Sequence, residues 1–145
     1  MHPYPHVYRV SASGRPGGNI PVAATGLPDI ETNAPAEFDG PGDLWSPETM
    51  LCASVANCFI LTFRAIARAS KLEWNELDCR VDGVLDRVDG VTQFSRFTTH
   101  ATLKIPPASD AAKARALLEK AEDRCLVTNS LRGTQALVAE VVQAG

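Results

Sequence analysis

One uninterrupted apolar stretch, Ser46 to Ser70, constrains this chain more than any other feature. Ser46 is a favourable N-cap, Pro47 suits the first helical position, and Glu48 lies in the first turn, where the helix dipole favours an anion. No Gly or Pro follows, no charged residue occurs from Thr49 to Phe63, and Arg64, Arg68 and Lys71 gather near the C-terminal pole. The uncharged segment is too short and too mixed for a membrane span, which predicts a helix buried on nearly all sides within a protein.

Around this helix the remaining elements alternate. The range 4–12 reads as a first strand, followed by a turn at Ser13-Gly14-Arg15-Pro16-Gly17-Gly18 and a return strand from Asn19 to Ala24. Thr25 to Pro47 is a long connection with a short strand near Ile30. After the helix, Trp74 to Arg87 has strand character, with Leu77, Cys79, Val81 and Leu85 on one face. Asp89-Gly90 is a hairpin signal, and Val91 to Ile105 is the returning strand. Ser109 or Asp110 caps a second helix to about Arg124, with Ala112, Ala116, Leu117 and Ala121 as its apolar stripe. Cys125 to Leu131 is a turn or short helix, and Gln135 to Gln143 closes as a strand. The order predicts a single α+β domain over residues 1–145, with antiparallel sheets packed on the central helix. That helix carries more apolar surface than one small sheet can cover, and a symmetric homodimer is the economical remedy.

Net charge is -3, which gives no reason to expect nucleic acid or an anionic membrane surface as partner. The start, Met1 to His6, lacks a basic segment followed by an apolar run, so the expected compartment is the cytoplasm. Four cysteines in such a setting read as free or redox-active thiols. Cys52 and Cys58, six positions apart on a helix, face different ways and cannot bridge. Cys79 falls in a strand and Cys125 just past a helix; taken singly, each of the four reads first as a small buried hydrophobe. His2 and His6 are flanked by Pro3 and Pro5, and no converging ligand set argues for a metal. Trp45 is read either as a pocket wall or as a helix-entry staple, and Phe59 and Phe63 as core.

Ser46-Pro47-Glu48, then Cys58-Phe59, then a second cysteine in Cys125-Leu126-Val127-Thr128-Asn129-Ser130-Leu131, together resemble the OsmC/Ohr family, the osmotically inducible protein C and organic hydroperoxide resistance proteins. The resemblance covers nearly the whole chain. It implies an intertwined α+β homodimer and a thiol peroxidase with no metal, haem, flavin or other cofactor. It further implies that Cys58 attacks the peroxide and becomes a sulfenic acid, which Cys125 resolves as a disulfide. Glu48 matches the family's glutamate and Arg15 its arginine, which orient and activate the thiolate. The implied partners are a second copy of the chain, a small hydroperoxide and a thiol or dithiol reductant such as a lipoylated protein. Leu126 stands where many members have proline, and Asn57 where the organic hydroperoxide branch has a small apolar residue, so the branch stays open. The alternative reading is a non-catalytic dimer that binds a small apolar ligand or senses redox state. Only a thiolate is nucleophilic, and a nearby guanidinium held by a carboxylate lowers a thiol pKa. Glu48 and Cys58 are ten residues, about 15 Å, apart along one helix. If both serve one site, Glu48 comes from the partner subunit or through a folded-back contact.

Overall fold

The computed structural model describes residues 1–144. Two compact units divide the chain at Met50. The first unit holds a small antiparallel sheet of three strands, β1 (Ser11–Ala12), β2 (Ile20–Ala23) and β3 (Ile30–Thr32). Thr32 is buried and its hydroxyl donates to the Ile20 carbonyl at 2.8 Å, tying β3 to β2. The strand expected over 4–12 shrinks to two residues. β2 offers partners only to Ser11 and Ala12, and the preceding segment with Pro3 and Pro5 stays irregular and exposed.

The entry to the long helix α1 (Pro47–Ala69) belongs to this unit. Ser46 is buried and forms a reciprocal cap. Its hydroxyl accepts from the Thr49 amide at 3.2 Å, and the Thr49 hydroxyl accepts from the Ser46 amide at 2.9 Å.

The second unit is built on strands β4 (Glu76–Val88), β5 (Val91–Ile105) and β6 (Thr134–Gln143), with helices α2 (Ala111–Arg124) and α3 (Leu126–Asn129). Asp89 and Gly90 both take positive φ, 51° and 78°, the turn that matches strand twist in a two-residue hairpin. β4 and β5 pair antiparallel from Val88 opposite Val91 to Glu76 opposite Lys104, and Lys104 Nζ meets Glu76 Oε2 at 3.2 Å. Asp110 caps α2 by accepting from the Lys113 amide.

Three expectations are corrected here. The sheet is not wholly antiparallel: β6 runs parallel to β5. The crossover from β5 through α2 and α3 is long enough to return the chain in the same direction. The stripe of α2 is Ala114, Leu117, Leu118 and Ala121, while Ala112 and Ala116 are exposed; the helix turns so that both leucines enter the core. Finally, a single chain does not by itself bury α1 on nearly all sides. The helix buries Val55, Cys58, Phe59, Phe63, Ile66 and Ala67 along one stripe, and Leu61 is 49% exposed. By length and composition alone it is also apolar enough to cross a membrane, with a mean hydropathy of 1.7, so shortness does not exclude a span.

The core of this unit joins Phe59 and Phe63 of α1 to Leu77, Leu103 and Ile105 of the sheet and Leu117 and Leu118 of α2. Phe63 stacks edge-on against Trp74, with centroids 5.4 Å apart. Burial of one such phenylalanine contributes about 1.5–3 kcal/mol. This core fixes the helix face from which Cys58 projects.

Candidate active site

Cys58 belongs to the buried stripe of α1, one residue before Phe59, so packing of the phenylalanine sets the direction of the thiol. Its sulfur lies 3.8 Å from the hydroxyl of Thr62, one turn further on. The second cysteine ends α2 and begins α3: Cys125 is the C-cap of one and the N-cap of the other. It is 1% exposed. The first amides of α3, at Leu126 and Val127, have no partner within that short helix and face the Cys58 sulfur, as does the Cys125 thiol. The two cysteines are adjacent and both are free thiols.

Burial pushes the Cys58 thiol up, but the Val127 amide, the Cys125 thiol, the Thr62 hydroxyl and the Leu126 amide outweigh it. The net pKa lies below the ordinary thiol value. Cys125 moves the other way. Burial raises it, the contacts from Thr128 offset this only in part, and the neighbouring Cys58 raises it further. Of the two, Cys58 is therefore the thiol that ionises more readily and Cys125 the one that holds its proton.

The other two cysteines are held as thiols. Cys79, on β4, is pushed up to about 11 by burial and then by the charge of Cys125. Cys52 is raised by burial against β4, where Gly83 leaves room for its sulfur.

Glu48 lies in the first turn of α1, nearly three turns before Cys58. Its Oε1 is buried and has no hydrogen-bond partner. Glu48 lines a cavity of about 500 Å³ in the first unit, together with Ile20, Val22, Phe38 and Met50. Arg15 sits in the exposed turn between β1 and β2 and takes part in no ion pair among the described residues. The ion pair expected between Arg15 and Glu48 is thus not made within one chain. No cluster of metal-ligating side chains occurs among the described residues.

Sequence reasoning missed three contributors: Thr62, the amides of α3, and Cys79 as a neighbour of Cys125. Thr62 was available from its i, i+4 spacing to Cys58; the others depend on how α3 and β4 pack.

A family model described as OsmC-like protein matches residues 40–139. The chain belongs to the OsmC family. The uncharacterized protein YmaD of Bacillus subtilis is 29% identical over 109 residues, 73% of each chain. The organic hydroperoxide resistance protein of Xanthomonas axonopodis pv. citri is 32% identical over 108 residues, 72% of each chain. Among solved structures, an organic hydroperoxide resistance protein from Elizabethkingia anophelis superposes with a TM-score of 0.77. It covers 97% of this chain and 99% of its own, at 22% identity, a likeness of fold. The expected OsmC-like α+β fold is therefore the observed one, with membership resting on the matched residues that include both Glu48 and Cys58.

Proposed function

We propose that the chain is a cysteine-based thiol peroxidase that reduces organic hydroperoxides at the expense of an external thiol or dithiol in the cytoplasm. The observation that carries this reading is the convergence of Cys125, Thr62 and two α3 amides on the Cys58 sulfur, with the resulting depression of its pKa. The Cys58 thiolate attacks one peroxide oxygen and the O–O bond breaks. The alkoxide leaves and takes a proton as the alcohol, and Cys58 becomes a sulfenic acid. The Cys125 thiol then attacks that sulfur, water leaves, and a Cys58–Cys125 disulfide forms. An external dithiol reduces the disulfide by exchange and returns both thiols.

The same proposal assigns the working unit to a homodimer. The unpartnered Glu48 carboxylate and the unpaired Arg15 guanidinium are complementary groups that one chain leaves separate. In the dimer, Glu48 of one copy holds Arg15 beside the Cys58 thiolate of the other, a bidentate clamp that favours the ionised form.

The test is peroxide consumption by the purified protein, with cumene hydroperoxide against hydrogen peroxide and a lipoyl dithiol against a monothiol, for wild type and Cys58→Ser. Turnover of cumene hydroperoxide that vanishes in Cys58→Ser is expected. No turnover in wild type, with Cys58 no more readily oxidised than Cys52 and Cys79, overturns the reading in favour of a binding protein.

A further inference from the structure

Hydroxyls on the helices of this chain bond back to the backbone, with one exception. Thr49 donates to the Ser46 carbonyl at 3.1 Å, Ser54 to that of Leu51 at 2.7 Å, Thr128 to that of Cys125 at 3.0 Å and Ser130 to that of Leu126 at 2.9 Å. This is the ordinary habit of serine and threonine in a helix. Thr62 departs from it. Its hydroxyl has no carbonyl partner among the described residues and lies 3.8 Å from the Cys58 sulfur. Threonine has two open rotamers on a helix, and the one adopted here gives the hydroxyl to the sulfur rather than to the preceding turn.

A second donor meets the same sulfur from α3. The Leu126 amide faces Cys58 beside that of Val127, and neither has a backbone carbonyl as partner among the described residues. The Leu126 side chain is 69% exposed, so what this residue gives the site is its N–H. The titratable groups around the sulfur are the Cys125 thiol at the junction of α2 and α3 and, next to Cys125, Cys79 of β4. No carboxylate or cation of the same chain acts on it among the described residues. Within one chain, an anion at Cys58 is therefore met by fixed dipoles and not by a charge.

We propose that Thr62 and the Leu126 amide form an uncharged cradle, supplied wholly by one chain, that holds the Cys58 sulfur as a thiolate before a second subunit adds to the site. This deepens the peroxidase reading and rests on it for its purpose: the Arg15–Glu48 clamp acts on a sulfur that its own chain has already prepared. Neither residue forms or breaks a bond in the reaction; both are positioning residues. The cradle can be dismantled without disturbing the fold. Position 126 is the first of α3, where proline suits a helix, and Cys125 before it has φ -65° and ψ 110°, extended backbone that a following proline accepts. Leu126→Pro therefore takes one donor from the sulfur and leaves the backbone in place.

The experiment reads ionisation, not turnover. Full-length wild type and variants are alkylated with iodoacetamide across a pH series, and modification of Cys58 is followed by mass spectrometry of its peptide. Thr62→Val keeps the branched shape without the hydroxyl, and Leu126→Pro deletes the amide. Each is expected to raise the alkylation midpoint by about half to one pH unit, the scale of one hydrogen bond to an ionised group, and to slow the reaction about three- to tenfold below it. Thr62→Ser and Leu126→Ala, which restore the donors, are expected to return the midpoint to that of wild type. Circular dichroism confirms that each variant folds. The shifts are measured above and below the concentration of subunit association, found by sedimentation, and are expected to be equal. A midpoint unmoved in either Thr62→Val or Leu126→Pro overturns the proposal. So does a shift that Thr62→Ser or Leu126→Ala fails to reverse, or one confined to the associated form. Wild-type turnover of cumene hydroperoxide is measured in parallel. If it is absent while the midpoints move, the peroxidase reading fails and the cradle stands; if it is present while they stay fixed, the cradle alone fails.

Discussion

Cys58 and Cys125 lie far apart in sequence yet meet inside one chain, whereas Arg15 and Glu48 lie closer in sequence and stay separate. The thiols are brought together by a core that one chain completes. Phe59 and Phe63 lock the face of α1, and α2 and α3 deliver Cys125 and two amides to it. The carboxylate has no such support. A buried acceptor without a donor costs about 1–3 kcal/mol, so a folded chain that keeps one has reason to receive a donor from outside. Under the proposed function this contrast becomes a division of labour: resolution of the sulfenic acid is internal to a subunit, and activation of the thiolate is shared between subunits.

The largest effects should fall on the thiol side. Cys58→Ser is expected to lower peroxide turnover by more than about a thousandfold, since the attacking atom is gone. Cys125→Ser should leave the first oxidation of Cys58 intact and stop the second turnover. A sulfenic-acid trap followed by mass spectrometry would find the label on Cys58 in that variant and on neither cysteine in cycling wild type. A label spread evenly over Cys52, Cys58 and Cys79 would dissolve the asymmetry between the thiols.

On the other side of the comparison, Glu48→Gln is expected to lower turnover about tenfold and to raise the pH at which Cys58 is alkylated, as one lost charge contact implies. Mixing decides where the glutamate acts. Cys58→Ser and Glu48→Gln subunits, unfolded together and refolded, should recover activity above the sum of the separate variants, because one site of the mixed dimer holds both an intact Cys58 and an intact Glu48. No recovery would place Glu48 and Cys58 of the same chain in one site and remove the shared-activation argument.

Local chemistry made much of the fold legible. The Asp89-Gly90 turn, the Ser46 cap and the Asp110 cap each rest on contacts within a few residues, and all three form as their residue types require. What escaped depended on tertiary choice. Nothing in Thr134–Gln143 distinguishes a parallel from an antiparallel partner; the crossover decides it. The face of α2 depended on which alanines the core would admit beside Leu117 and Leu118. For the site, the two cysteines were legible through family resemblance, but their contact was not, because spacing along the chain carries no distance. A bulge in β5 at Ser95, which aligns Phe94 with Phe97, left no mark in the pattern of alternation, since a single added residue only shifts the register beyond it.

The smallest expected effect tests whether the thiol cluster truly belongs to one chain. Cys79 is pushed up to about 11 from 9.0, by burial first and by Cys125 second. An acid with a raised folded pKa keeps its proton in the native state where the unfolded chain has lost it. Between about pH 9 and 11 the unfolded state then binds fewer protons, and stability falls as pH rises. Solvent reaches part of this group, so a fall of about 1–2 kcal/mol is expected across that window, and Cys79→Ala should flatten it. Urea titrations followed by tryptophan fluorescence at several pH values measure the slope. Because Cys79 and Cys125 are neighbours within one chain, the difference in slope between wild type and Cys79→Ala should not change with protein concentration. Any property that depends on Glu48 meeting Arg15 across subunits should change with it, as association itself does. A Cys79 slope that scaled with concentration would move part of the thiol cluster to the interface and erase the distinction between the two regions.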